Sequence, residues 1–148
     1  MKILALDQAS TTGFSIYQDG KLLEHGVKRF GGITVAKAIH MRDWSLSMIE
    51  QHNIDLVLLE DIQLQESPTT FKTLAYLQCG IAVGLREAGI EYKLVSPSTW
   101  RRKNGIKGRK RAEKKKNAIA LVQQLYNIKV SNDAAEAILL GRSYYLSA

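Results

Sequence analysis

Two apolar runs constrain this chain more than anything else in it. They are Ile3-Leu4-Ala5-Leu6, closed by Asp7, and Leu56-Val57-Leu58-Leu59, closed by Glu60. Side chains along a strand point alternately to opposite faces, so a run that is apolar throughout is buried on both sides. Two such strands belong at the centre of a sheet covered by helices on each face, an α/β architecture. Ligands in such sheets bind in the crevice at the carboxyl ends of the central strands. If strands 3–7 and 55–60 are neighbours, Asp7 and Glu60 end side by side there. Unpaired buried charge is costly, so two buried acids call for a cation between them.

The remaining segments fit around these strands. Phe14 to Tyr17 and Leu22 to Val27 flank Asp19-Gly20, the signature of a hairpin with a type I′ turn. Val35, Ile39, Leu46 and Ile49 recur at helical spacing and predict a helix over 34–52. Ser67-Pro68 reads as an N-cap followed by proline at the first helical position. The helix it opens carries Phe71, Leu74, Gln78, Ile81 and Leu85 on one face and ends at Gly89. Tyr92 to Val95 is a short strand, and Ser96 to Arg111 reads as a Gly- and basic-rich loop. Ala112 to Asn127 is an amphipathic helix carrying Ile119, Val122, Leu125 and Tyr126, and a last helix runs from about Asn132 to Tyr145. The order βββ-α-β-α-β-α-α predicts one domain over 1–148, with a mixed five-stranded sheet whose antiparallel side is the hairpin.

Charge is concentrated in one place. Between Arg101 and Lys116 stand ten basic residues against one acid, Glu113. That segment carries +9 in a chain of net +7, which leaves −2 on the rest. A basic element on a near-neutral body is the footprint of a polyanion partner, most often nucleic acid. With 148 residues and 45% hydrophobic content the chain can bury a real core. No apolar run approaches membrane-spanning length, and the N-terminal patch is too short for a signal peptide. The single Cys79 provides neither a disulfide nor a cysteine metal site, so a cytoplasmic setting is expected. His25, His40 and His52 have no metal-like spacing.

A second acid pair opens the last helix, in Asn132-Asp133-Ala134-Ala135-Glu136-Ala137. Residues three apart share a helix face, and the small alanines would let that helix approach the sheet closely. Acids are also favoured at any helix start by the backbone dipole. The pair gains meaning only if Asp7 and Glu60 converge on it. Four carboxylates at one point suit Mg²⁺, a hard cation that prefers oxygen and leaves positions free for phosphate oxygens. Two such ions about 3.5–4 Å apart can activate a water and stabilise the leaving oxygen in phosphodiester cleavage.

Four stretches together resemble the RuvC-type Holliday-junction resolvases of the RNase H-like (retroviral integrase) superfamily, particularly the short versions encoded by phages. Ile3-Leu-Ala-Leu-Asp7-Gln-Ala-Ser-Thr-Thr-Gly13 is similar to the first-strand motif, and Leu58-Leu59-Glu60-Asp61-Ile62 to the fourth-strand motif. Leu77-Gln78-Cys79-Gly80 resembles the step in the following helix, and Asp133-Ala-Ala-Glu136 the closing acid pair. The resemblance runs nearly end to end. It implies an RNase H-like fold and a homodimer that nicks two strands of a four-way DNA junction symmetrically, leaving 5′-phosphate and 3′-hydroxyl ends. The implied cofactor is a pair of Mg²⁺ ions, with Mn²⁺ able to substitute, in a bacterial or phage-infected cell. Asp7 would bridge the ions, Glu60 would complete one shell, and Asp133 with Glu136 the other. Family members often carry Asp where Glu136 stands, and an aromatic where Gln63 stands. The latter departure points to a preference for branched structure over sequence.

By the same resemblance Ala112-Glu113-Lys114 sets Lys114 beside the scissile phosphate, where a cation stabilises developing negative charge. Arg101, Arg102, Lys107, Lys110, Arg111 and Lys115 are expected to hold the DNA backbone. Trp100 anchors the basic loop, Asp61 is the rival of Glu60 as ligand, and the apolar helix at 68–88 is the candidate dimer surface. Three other readings compete. The run after Asp7 resembles the phosphate-1 loop of actin-like and sugar-kinase ATPases, although those need two lobes to enclose ATP. A non-catalytic DNA-binding module and a broader fork or flap nuclease are the others.

Overall fold

The computed structural model describes residues 1–64 and 67–147. Its elements are β1 (Lys2–Asp7), β2 (Thr11–Gln18), β3 (Lys21–Arg29), α1 (Thr34–His52), β4 (Leu56–Glu60), α2 (Pro68–Glu87), β5 (Glu91–Val95), α3 (Pro97–Lys103), α4 (Arg111–Tyr126) and α5 (Asn132–Ser143). The sheet order is β3-β2-β1-β4-β5, antiparallel through β3, β2 and β1 and parallel through β1, β4 and β5. The hairpin closes on Asp19 and Gly20, both at positive φ (51° and 84°), as a type I′ turn requires.

Alternation along the two central strands builds two cores. Leu4, Leu6, Val57 and Leu59 face α1 and α2, while Ile3, Ala5, Leu56 and Leu58 face α3, α4 and α5. The expected apolar faces need correction in two helices; in α4 the buried residues are Ala118 and Val122, and Leu125 lies 39% exposed. In α1 the buried residues are Ala38, Met41, Ser45, Met48 and Ile49, whereas Val35 and Ile39 lie 53% and 44% exposed. The inner face is shared by Ala38 and Ser45 with Met41, Met48 and Ile49, and α2 comes closest to it at Ala38 and Arg42. A Cβ on Gly80 would sit 3.1 Å from that of Ala38, and one on Gly84 would overlap the Arg42 side chain. In α2 the inner face is Leu77, Ile81, Gly84 and Leu85. Ile81 and Leu85 are thus consumed in the core rather than offered to a partner, and Tyr76 and Val83 point outward.

Residues 96–111 are not a simple loop, because they contain α3. Its entry repeats the Ser-Pro signature of α2: the Ser96 hydroxyl accepts from Thr99 N–H at 3.2 Å and Pro97 takes the first turn. Trp100 is fully buried among α4 and α5 residues. Asn104 then ties the end of α3 to α5, donating to the carbonyls of Trp100 (2.8 Å) and Leu139 (2.9 Å). The last helix stops at Ser143, two residues short of the expected end. It lies against β2, where Ser15 Oγ donates to the Ala137 carbonyl (2.7 Å) and Tyr17 to that of Ile138 (2.9 Å). No helix among the described residues is long and apolar enough to cross a membrane.

Candidate active site

The register of β1 on β4 pairs Leu6 with Leu59, so Asp7 and Glu60 follow as adjacent strand ends. Both continue the Ile3–Ala5 and Leu56–Leu58 series and therefore point to the α5 side of the sheet. There α5 begins, with the Ser131 hydroxyl capping Ala134 N–H at 3.3 Å. Ala134, Ala135 and Ala137 are buried, which lets the first turns of α5 lie close on the strands. Glu136 is only 8% exposed.

Three of the four acids converge, and the fourth lies beside them. Asp7, Glu60 and Glu136 each present one carboxylate oxygen within 4.8 Å of the others, and among the described residues no other acid, His or Cys joins such a group. Asp133, one turn earlier on α5, lines the same cleft and adds its charge to the field at Asp7. Asp61 also lines the cleft but stays outside the trio; its backbone N–H is bonded to the Val95 carbonyl.

Crowding shows in the acidities. Burial, then the charges of Glu60 and Glu136, then a hydrogen bond to Glu136 and the charge of Asp133 hold Asp7 well above the usual carboxylate range. Burial and the Glu136 charge push Glu60 up to about 7, against the opposing pull of the Trp100 hydrogen bond and of Arg101 and Arg111. Carboxylates this close cannot all ionise comfortably without a cation. The donor set fits a hard divalent ion, being all oxygen. Asn132 Oδ1, on the same cleft wall, is buried with no protein partner, as is Gln8 Oε1. The other end of Gln8 is fixed, with Nε2 donating to the Glu60 carbonyl at 2.6 Å.

A rim of cations surrounds the acids. The cleft, of about 540 Å³, is also lined by Arg101, Arg109, Arg111, Lys114 and Lys115. A second cavity of about 440 Å³ shares Arg101, Lys114 and Gln63 with it and adds Arg102 and Lys107. Of the expected DNA-binding residues, Lys110 lies in neither; it is the exposed N-cap of α4. Arg109 belongs to the rim and was not anticipated. Arg101 reaches further in than a backbone-binding role requires. Its guanidinium is 3.8 Å from Glu136 Oε1 and packs over the Trp100 ring at 5.0 Å. Trp100 itself donates its indole N–H to Glu60 Oε2 at 2.9 Å. Sequence reasoning missed both acid contacts because it missed α3, although Ser96-Pro97 was the available signal.

Two other expectations resolve. The turn after Asp7 folds on itself, with the Thr12 hydroxyl donating to the Ala9 carbonyl (2.6 Å) and accepting from Ala9 N–H (3.3 Å). Those groups are therefore occupied, not held out to a nucleotide phosphate. His52 pairs with Glu24 at 3.5 Å, away from the acids.

No protein-family model matches this sequence, and no curated protein matches it either. Solved structures do. The chain superposes on Thermus thermophilus RuvC in complex with a Holliday-junction substrate with a TM-score of 0.79 at 12% identity, covering 98% of this chain and 92% of that one. Fowlpox virus resolvase, solved with Holliday-junction DNA, gives 0.66 at 18% identity over 97% and 96% of the two chains. The yeast mitochondrial Holliday-junction resolvase Ydc2 gives 0.62 at 14% identity over 96% and 76%. The fold is therefore the RNase H-like fold of these resolvases, as the motifs led one to expect.

Proposed function

We propose that this chain is a metal-dependent endonuclease that resolves four-way DNA junctions, acting as a homodimer and leaving 5′-phosphate and 3′-hydroxyl ends. The observation that carries the reading is the convergence of Asp7, Glu60 and Glu136 within 4.8 Å. They meet under a rim of arginines and lysines, in a fold shared with junction resolvases over nearly the full length of both chains. The turn after Asp7, which a nucleotide-phosphate loop would need open, is closed by the Thr12–Ala9 bonds, and a passive DNA-binding surface gains nothing from acids that repel phosphate.

Asp7, Glu60 and Glu136 would hold the metal, with Asp133 beside them and Asp7 central to the set. Two Mg²⁺ ions bound there would supply an activated water and neutralise charge on the leaving oxygen. The chain's own residues do the rest. Lys114 stands on the wall between the two cavities, where its ammonium can hold a phosphate oxygen and stabilise charge that develops on it. Arg111 and Lys115 bring the backbone to the acids, and Arg102 and Lys107 hold it further along. A two-fold dimer would set two such clefts on the two strands to be cut.

The test is a synthetic four-way junction and a matched linear duplex, each incubated with Mg²⁺ or with EDTA. Cutting of the junction only with metal, and retained binding without cutting by Asp7→Asn, is the expected result. Normal cutting by Asp7→Asn would remove the site. Equal cutting of linear duplex would remove junction selectivity, and equal cutting of forks and flaps would make the chain a general branched-DNA nuclease.

A further inference from the structure

Glu60 is gripped at more points than its place at a strand end demands. Its carbonyl accepts from Gln8 at 2.6 Å, the backbone of the next residue is bonded to β5, and its Oε2 accepts the Trp100 indole N–H at 2.9 Å. Trp100 comes from a separate element, α3. Its ring is fully buried in the core formed by Leu56, Leu58, Ala118, Val122 and α5. An indole packed on all sides cannot swing, so the donor has a fixed position and direction. The nitrogen is donor only, and a carboxylate oxygen that accepts it has one lone-pair direction fewer for a cation.

We propose that Trp100 is a positioning residue for the metal site. It pins Oε2 of Glu60 and so fixes the direction from which the carboxylate meets the cation shared with Asp7 and Glu136. The inference rests on the metal-site reading above and deepens it: the orientation of Glu60 as a ligand is set by the helix that leads into the basic segment. The next residue on that helix strengthens the arrangement. Arg101 packs over the same indole at 5.0 Å and reaches Glu136 at 3.8 Å, so one dipeptide backs two of the three clustered acids. Partners behind a metal ligand typically change metal affinity 10–100-fold when lost.

The test uses the full chain and Mn²⁺ or Mg²⁺ as the probe. Trp100→Phe keeps an aromatic ring in the core and removes the N–H. Circular dichroism should show the fold intact, while calorimetric titration should show metal affinity 10–100-fold weaker. An isosteric benzothienylalanine at position 100 repeats the test should the smaller ring fail to fold. Unchanged affinity in the folded variant would overturn the proposal. A wild-type chain that binds no metal would instead overturn the functional reading on which it stands. A second readout is independent of activity. The chain has two tryptophans, so Trp44→Phe assigns the Trp100 indole N–H resonance in a nitrogen-15 correlation spectrum. That resonance should move upfield in Glu60→Ala and shift on titration with Mg²⁺. A resonance indifferent to both changes would show that the indole is a packing element only.

Discussion

The carbonyl of Asp133 occupies the space where a side chain on Gly13 would stand. Gly13 pairs directly with Asp7 across the β1–β2 ladder, so its missing side chain is what lets the first turn of α5 settle over the strand that carries Asp7. Without that gap Glu136 could not share a 4.8 Å cluster with Asp7 and Glu60.

Gly13→Ala should therefore push the start of α5 away. Backbone cannot yield as a flexible side chain does, so the cost should be at the upper end of the roughly 1–3 kcal/mol typical of overpacking. Urea denaturation should show that loss, and Mn²⁺ titration should show a weakened site. Wild-type stability and affinity in Gly13→Ala would mean that α5 is not seated by this contact.

The same close approach shows which parts of the molecule are legible in its sequence. The apolar runs before Asp7 and Glu60 announce central strands, and Asp19-Gly20 announces the hairpin turn, because each is a local rule. What depends on a neighbour is hidden. The inner face of α1 runs through Ala38, Met41, Ser45, Met48 and Ile49, with Gly80 of α2 closing on Ala38, so Val35 and Ile39 mislead although their spacing is helical. With seven residues and only Pro97 and Trp100 buried, α3 is too short for periodicity to reveal. Arg101 is read as one more phosphate contact until α3 sets it against Glu136. Spacing puts Asp133 and Glu136 on one face, but only the depth of α5 in the fold brings Glu136 into the trio.

Metal-free stability should fall as pH rises. Glu60 moves from an ordinary 4.5 to about 7 in the fold, so between those values the folded state holds the proton more tightly than the unfolded chain. Its contribution is greatest below about 4.5, declines as pH passes through 7, and is level above, and Asp7 acts in the same direction. A shift of this size is worth at most about 3 kcal/mol. Thermal melts in EDTA should give a smaller fall in Tm between pH 5 and 8 for Glu60→Gln than for wild type. Mg²⁺ should raise Tm at pH 8 and hardly at pH 5, where protons compete for the site. Parallel pH profiles for the two proteins would contradict the crowding.

Arg111 and Lys110 are neighbours in sequence but not in role. Arg111 lines the acid cleft, whereas Lys110 caps α4 outside both cavities. Replacing both with Ala should flatten the salt dependence of junction binding, each phosphate contact accounting for about one unit of slope. Singly, Arg111→Ala should lose more cutting than Lys110→Ala at equal DNA occupancy. An unchanged slope in the double variant would remove both from the interface.

The two acids of α5 should separate in the same way. Glu136 is buried, offers an oxygen to the trio, and stands within reach of Arg101; Asp133 acts on Asp7 through its charge from one turn away. Glu136→Gln therefore removes a clustered ligand atom's charge and should abolish tight Mn²⁺ binding and cutting. Asp133→Asn should weaken both while leaving the binding measurable, because the three clustered oxygens remain. Neutralising either acid also relieves repulsion in the metal-free protein, so both variants should melt at or above the wild-type temperature in EDTA at pH 8. The ordering is read from Mn²⁺ affinities by calorimetry. A larger loss in Asp133→Asn than in Glu136→Gln would make the first turn of α5, not the second, the principal metal-holding segment of that helix.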